Sequence, residues 1–292
     1  MKNFIKTLSA YHQAVDEELK RFFDRKIKKA EDQQVKKTLK LLKEFSLRPG
    51  KRGRGILVNS GYFLAGGKNK KTILETSIFI ELIHDYLLIH DDIIDRDDLR
   101  RGKPTVHRYY GGKHYGLSMA IVAGDLMNTL GCEILAESKF SDRYKVSALN
   151  ILNRAVTKTI QGQIFELSSR NKEMSEKDIL KIYQNKTAYY SLVAPLQIGS
   201  LLAGASQDFL NKIEKFALPL GIAFQIKDDL SDIKIDAKEG QPTLFRKSGS
   251  VEYCQKIMVR LIKKAKESLN LEKGFPQKEK QFLLDFADFI FK

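Results

Sequence analysis

Apolar residues recur at three- and four-residue steps along most of the chain, with charged residues between them. That is the period of amphipathic helices, and the alternating pattern of strands is scarce. Residues 11–45 follow the helical spacing. SLRPGKRGRG at 46–55 interrupts it with Pro and Gly and feeds a new apolar segment. ILETSIFIELIHDYLLIHDDIID at 73–95 has no breaker and is apolar on several faces, which places it inside a bundle. RRGKPTVHRYYGGKHYG reads as a loop. Further helices are predicted at 116–138, 142–168, 175–204, 207–232, 250–268 and 276–290, with Ser175 as an N-cap before an acidic first turn. No repeat of fixed period and no low-complexity block is present. The expectation is all-α, one domain over 1–292, with unusually apolar central helices.

A chain of 292 residues can bury a large core. Its 42% apolar and 30% charged content fits a globular protein in water. The net charge of +15 points to a polyanionic partner: nucleic acid, anionic lipid or a phosphorylated small molecule. Tyr109, Tyr110, Tyr189 and Tyr190 have basic neighbours, but no nucleic-acid motif accompanies them. Phosphates, and an anionic membrane surface as a peripheral contact, are the better partners. Cys132 and Cys254 form no disulfide framework and no metal pattern, so an intracellular, cytoplasmic setting is expected. The N-terminus lacks the continuous apolar core of a signal peptide. Residues 117–136 come nearest to a transmembrane segment, but Asp125, Asn128 and Glu133 interrupt them, so a core helix is expected there.

Two acidic triplets change the picture. Asp91, Asp92 and Asp95 end one apolar helix, and Asp228, Asp229 and Asp232 end another with the same D-D-x-x-D spacing. On a helix, residues four apart share a face, so Asp91 pairs with Asp95 and Asp228 with Asp232. Like charges so placed repel, and more strongly where burial lowers the dielectric, unless divalent cations lie between them. Oxygen donors in small number suit Mg²⁺, which keeps waters and completes its shell with substrate phosphates. No His/Cys spacing suggests zinc, no EF-hand loop suggests calcium, and no P-loop is present. Cations accompany the carboxylates: Lys51, Arg52 and Arg54 in the Gly-broken loop, Arg100 and Arg101 after the first triplet, and Lys186 beside Thr187. Carboxylates with Mg²⁺ facing Arg and Lys describe a diphosphate site.

GKRGR, IHDYLLIHDDIIDRDDLRRGKPT, GQIFEL, KTAYY and FQIKDDLSD occur in that order across the chain. In this the chain resembles the trans-isoprenyl diphosphate synthases of the polyprenyl synthetase family. The resemblance implies an antiparallel helical bundle around a deep apolar cavity, usually a homodimer. It implies head-to-tail condensation of isopentenyl diphosphate with an allylic diphosphate. Asp91, Asp95 and Asp228 would hold three Mg²⁺ ions on the allylic diphosphate, supported by Asp92, Asp229 and Asp232. Arg100, Lys186, Thr187 and Gln225 would grip that diphosphate. Lys51, Arg54, His84 and Arg101 would bind isopentenyl diphosphate, and Gln163 and Glu166 would face the site. The two triplets and Lys186 form the expected catalytic set.

The chain departs from the family after the second triplet. The 233–243 stretch is shorter: Asp236 matches the family's Asp, a first lysine is missing and Gln241 replaces a second. Lys227, Lys234 and Lys238 are the candidate substitutes. Tyr86, five residues before Asp91, lies roughly 7–8 Å back along the helix axis, where a ring would floor the product cavity; Leu87 is its smaller neighbour. An aromatic there resembles geranylgeranyl-type enzymes, so a C20 product is expected, with C15 as the competitor. His90 is read as a hydrogen-bonded core histidine, and Asp97 and Asp98 as solvated or supporting. A terpene cyclase and a non-catalytic modulating subunit remain the other readings.

Overall fold

The computed structural model describes residues 2–233 and 240–291. It is all-α, with one two-stranded ribbon among the described residues. Contacts group the chain into two compact units: Ile5–Ile56 with Asn69–Lys145, and Met1–Phe4, Leu57–Lys68 and Val146–Lys292.

The first unit carries most of α1 (Lys2–Lys29), α2 (Gln33–Ser46), the start of α3 (Gly53–Leu64), α4 (Lys70–Ser77) and α5 (Phe79–Ile94). The ribbon β1 (Leu99–Arg100) and β2 (Lys103–Pro104) follows, then α6 (Val106–Tyr109) and α7 (His114–Ala136). The helical period over 11–45 is broken at residues 30–32, where Asp32 caps α2 by accepting from the backbone N–H of Gln34 and Val35 at 2.8 and 2.9 Å. The apolar stretch 73–95 is also divided, at Ile78. Just before the break, the Thr76 and Ser77 hydroxyls donate to the carbonyls of Thr72 and Leu74 (2.8 and 2.9 Å). Such local bonds compete with the helix ladder and bend it.

Leu19, Phe23, Leu42, Phe45, Leu82, Ile89 and Met127 form the core of this unit. Each such side chain contributes roughly 1.5–3 kcal/mol by leaving water. A stripe of small residues lets α7 lie close on α5: a Cβ on Gly131 would stand 3.0 Å from the Phe79 carbonyl oxygen, and one on Gly124 would stand 2.4 Å from His90 Nε2. α5 is thereby fixed along its length, and its C-terminus carries the first triplet. α7 is long and apolar enough to cross a membrane, yet only 39% of its most apolar window is buried; Ile121 and Val122 are exposed.

The second unit holds the rest of α3, nearly all of α8 (Asp142–Ser169), α9 (Glu176–Tyr183), a π-helical segment Gln184–Val193, α10 (Ala194–Leu202) and α11 (Gln207–Ser231). It closes with α12 (Leu244–Ser248), α13 (Val251–Leu271) and α14 (Gln277–Phe289). Ser175 caps α9, accepting from Asp178 N. The span expected as one helix over 175–204 is instead rewound in its middle. Gln184 Nε2 donates to Tyr189 Oη at 3.0 Å, linking residues five apart, and the Lys158 ammonium sits 3.1 Å from the Tyr189 ring centroid. Two glycines admit the wide turn. A Cβ on Gly162 of α8 would meet Lys186 N at 2.6 Å, and one on Gly221 of α11 would meet Ala188 Cα at 2.6 Å. The segment that bears Lys186 and Thr187 is thus held between two close helices.

Candidate active site

In the first unit α5 ends at Asp95, its C-cap, so the triplet occupies the last helical turn. Asp91 and Asp95 are half-buried, and Asp92 between them is buried. Arg100 holds Asp92: its Nε donates to Asp92 Oδ1 at 2.7 Å, and its terminal NH2 to Asp97 Oδ2 at 3.1 Å. Asp92 Oδ2 is buried with no hydrogen-bond partner among the described residues. Burial pushes the Asp92 carboxyl up to about 6, against the pull of Arg100. Burial would lower Arg100 in turn, but Asp92 and Asp97 more than reverse it. Asp98 accepts from Arg108 Nε, and the Asp97 carbonyl oxygen accepts from Thr105 Oγ1 at 2.9 Å.

The loop read from RRGKPT is a hairpin. Leu99 pairs with Pro104 and Arg100 with Lys103, and the two turn residues Arg101 and Gly102 have φ of 55° and 76°. That is the backbone twist of a tight two-residue hairpin turn, adopted by an arginine at a cost of roughly 1–3 kcal/mol. Arg48 secures the hairpin, donating to the carbonyls of Arg100 (3.1 Å) and Pro104 (3.0 Å). The Arg101 guanidinium lies against Gly50, where a Cβ would stand 3.1 Å from it.

The Gly-rich loop itself is braced from α1. Arg52, buried and at φ 49°, donates to Asp16 Oδ1 at 2.6 Å and to the Arg48 carbonyl at 3.1 Å. His12 Nε2 lies 2.6 Å from the Gly50 carbonyl oxygen. The Glu81 carboxylate accepts from Gly55 N at 2.8 Å. Lys51 is exposed and Arg54 half-buried in the first turn of α3. Half-buried His84 is held well below the ordinary histidine value by burial and by the fields of Arg54, Arg101, Arg100 and Arg52, so it is neutral at pH 7. These four guanidiniums place a positive field on this face, although Arg52 and Arg100 are already paired with carboxylates of the chain. Beneath them Asp85 is buried, accepts from Ser46 Oγ at 2.5 Å, and is pushed up to about 6 by burial. Nothing in the sequence pattern singled out Asp85.

Tyr86 packs on the core of this unit with its ring edge-on to His90, centroids 4.9 Å apart. His90 Nε2 lies 3.2 Å from the Ile121 carbonyl oxygen and 3.7 Å from Asp125. Leu87 is half-buried beside it.

In the second unit, α11 ends in the same way, with Asp232 as C-cap. Asp228 is half-buried, Asp229 buried and Asp232 exposed. Asp229 is again committed to the protein: Gln225 Nε2 donates to Oδ1 at 2.8 Å, and the Tyr183 hydroxyl donates to Oδ2. Tyr183 Oη accepts from Leu244 N at 2.7 Å. Thr187 Oγ1 donates to Gln225 Oε1, so a chain of hydrogen bonds runs from Thr187 through Gln225 and Asp229 to Tyr183. Burial, then Asp229, pushes the Tyr183 phenol well above its ordinary value, so it stays a donor. Nothing in the sequence pattern singled out Tyr183. Lys186 Nζ donates to both oxygens of buried Glu166, at 2.8 and 2.9 Å. Gln163 Nε2, on the same helix as Glu166, is buried without a partner among the described residues. Lys227 Nζ donates to the Ile290 carbonyl at 2.8 Å, which occupies it away from the role proposed for it as a substitute phosphate contact. Lys234, Asp236 and Lys238 lie outside the described residues, and Gln241 is half-buried.

The two triplets therefore share one local design. The middle aspartate is buried and tied down, and the outer two lie one turn apart at a helix C-terminus. The helix dipole already places partial negative charge there, so two carboxylates are disfavoured unless a cation joins them. Among the described residues no three His, Cys, Asp or Glu side chains are grouped so as to hold a metal ion by themselves. A pair of carboxylates per triplet fits Mg²⁺, which takes few protein oxygens, and fits neither zinc nor a calcium loop.

The polyprenyl synthetase family profile matches residues 35–244. A geranylgeranyl diphosphate synthase of Methanosarcina mazei is 29% identical over 77% of this chain and 81% of its own length. A short chain isoprenyl diphosphate synthase of Methanocaldococcus jannaschii is 35% identical over 79% of this chain and 65% of its own length. Among solved structures, a geranylgeranyl pyrophosphate synthase from Corynebacterium glutamicum, complexed with isoprenyl diphosphate and magnesium, superposes with a TM-score of 0.86. It covers 97% of this chain and 98% of that one at 24% identity, which is a likeness of fold. The chain belongs to the polyprenyl synthetase family, the trans-isoprenyl diphosphate synthases, which are prenyltransferases.

Proposed function

We propose that this chain condenses isopentenyl diphosphate head-to-tail with an allylic diphosphate to make a short trans-prenyl diphosphate, geranylgeranyl diphosphate (C20) being the main product. The observation that carries the reading is the repeated triplet design, in which buried Asp92 and Asp229 are anchored while their outer neighbours pair at a helix end. Asp91, Asp95 and Asp228 are the Mg²⁺ ligands in this reading, with Asp232 beside them and three ions in all. Mg²⁺ held by these carboxylates would supply positive charge to the departing diphosphate, where charge develops in the transition state.

The chain's own groups do the rest. Lys186, steered by Glu166, Thr187, steered by Gln225, and Arg100 hold the allylic diphosphate. Lys51, Arg54, Arg101 and neutral His84 hold isopentenyl diphosphate; His84 has a ring N–H to offer and adds no charge of its own. Apolar walls keep water from the allylic cation. The isopentenyl double bond attacks that cation, and the proton then lost passes to the released diphosphate. Tyr86 on α5 is the floor that stops growth. A homodimer is the assembly we propose, in keeping with exposed Ile121 and Val122 on α7 and exposed Ile164 on α8.

The test incubates the purified chain with Mg²⁺, labelled isopentenyl diphosphate and C5, C10 or C15 allylic primers, then sizes the dephosphorylated alcohols by mass spectrometry. A ladder ending at C20 is expected, and one ending at C15 would move the product to farnesyl diphosphate. No condensation with any primer by a folded chain would overturn the reading.

A further inference from the structure

An open groove of about 470 Å³ lies in the first unit, lined by α2, the β1–β2 ribbon and α6. Its wall carries Lys36, Lys37, Lys40, Arg48, Lys103 and Tyr109, and Glu44 is the acidic residue in the lining. Five cations against one carboxylate leave a formal excess of four positive charges. Glu44 is spent within the wall: it accepts from Arg48 Nη2 at 2.8 Å and from Lys103 Nζ at 2.6 Å. Burial would raise it, but these two cations outweigh burial and keep it ionised. Arg48 is in turn fixed on Glu44 and on the carbonyls of Arg100 and Pro104. Among the described residues Lys36, Lys37 and Lys40 make no ion pair, and Lys37 rests 5.7 Å from the centroid of the Tyr109 ring, itself 47% exposed. Lys36 and Lys40 stand one turn apart on α2, an arrangement that repels unless an anion joins them.

We propose that this groove binds a phosphate-bearing anion, with Lys36, Lys37 and Lys40 as its ligands and Arg48–Glu44–Lys103 as a rigid wall. Mobile ammonium groups serve a compact, highly charged phosphate as point charges, where a fixed guanidinium fork would select a flat carboxylate. A single walled groove fits one headgroup, whereas nucleic acid needs a stripe of stacking positions. A diphosphate in solution and the headgroup of an anionic phospholipid share this chemistry. The site is separate from the residues assigned to the condensation and does not depend on that reading.

The chain has no tryptophan, so Tyr109→Trp places a sole tryptophan on the groove, which is excited selectively over the tyrosines. The variant is titrated, without divalent cations, with phosphatidylglycerol vesicles, phosphatidylcholine vesicles and inorganic diphosphate. A saturable emission shift is expected with at least one anionic probe and none with phosphatidylcholine. A response to phosphatidylglycerol alone makes the ligand a lipid headgroup, and a response to diphosphate makes it a soluble phosphate. Lys36→Glu with Lys40→Glu should weaken the affinity about 25-fold or more, at roughly fivefold per lysine, with circular dichroism unchanged. Co-sedimentation of the wild-type chain and the same double variant with the vesicles repeats the comparison without the reporter. No saturable response to either anion, or equal affinity in the double variant, overturns the proposal.

Discussion

Replacing Tyr183 by Phe removes one oxygen and leaves the ring in place. Its hydroxyl donates to Asp229 Oδ2 and accepts from Leu244 N, in a pocket where Tyr183 is 3% and Asp229 7% exposed. A hydrogen bond to a charged acceptor contributes about 1.5–3 kcal/mol, and an orphaned buried N–H costs about 1–3 kcal/mol more. The expected loss is therefore about 3–5 kcal/mol, a large share of the stability of a typical domain. At about 2–4 °C per kcal/mol for a chain of this size, Tm should fall by about 6–20 °C. Differential scanning calorimetry on the substrate-free protein reads this directly. A double-mutant cycle with Asp229→Asn isolates the pair, and a coupling above about 1 kcal/mol is expected for residues in contact. A Tm within 2 °C of wild type, or coupling below about 0.3 kcal/mol, would refute the reasoning that Tyr183 anchors the second triplet.

Four further outcomes are expected. Asp85 has its carboxyl raised from 3.8 to about 6, so the folded state holds a proton that the unfolded chain releases first. Its burial costs nothing below about pH 4, the cost grows as pH rises to about 6, and it levels off at about 3 kcal/mol above that. Asp85→Asn should then melt higher than wild type at pH 8 and equally at pH 4; a constant difference across that range would be the contrary result. Gly162→Ala drives a Cβ to 2.6 Å from Lys186 N, so kcat/KM for the allylic substrate should fall at least about tenfold, and wild-type kinetics would show that the π-helical segment moves freely. Tyr86→Ala should lengthen the product seen by mass spectrometry; an unchanged profile would move the floor, for instance to residues 117–123. Gln241→Lys should tighten allylic diphosphate binding measured by calorimetry, and equal affinity would count against a deficit in the 233–243 stretch.

The helices were legible because apolar residues at three- and four-residue steps leave little alternative, and the ends of α5 and α11 were marked by their aspartates. The interruptions were not legible. A break at Ile78 depends on which carbonyls the Thr76 and Ser77 hydroxyls reach, and those partners lie within one turn whether or not the helix breaks. The π-helical turn keeps the apolar spacing of its neighbours. It is enforced by Gly162 and Gly221 on two other helices, remote in sequence from Lys186, and by the Gln184–Tyr189 link that brackets it.

The same limit applies to roles within each triplet. Spacing pairs the first aspartate with the last, but it cannot say that the middle one faces inward onto a partner. That partner is an arginine delivered by a hairpin in one unit and a tyrosine delivered from α9 in the other. The solutions differ because the two surroundings differ: Arg100 brings a positive charge that Asp92 needs beside Asp91 and Asp97, whereas Asp229 is met by neutral donors from Gln225 and Tyr183. In both, fixing the middle carboxylate removes its freedom to swing toward its neighbours, so the outer pair can present oxygens at a constant separation. Precise placement of a few oxygens is what a Mg²⁺ ion with strict octahedral demands requires. The anchors, Arg100 and Tyr183, are therefore as necessary to the proposed chemistry as the ligands they position.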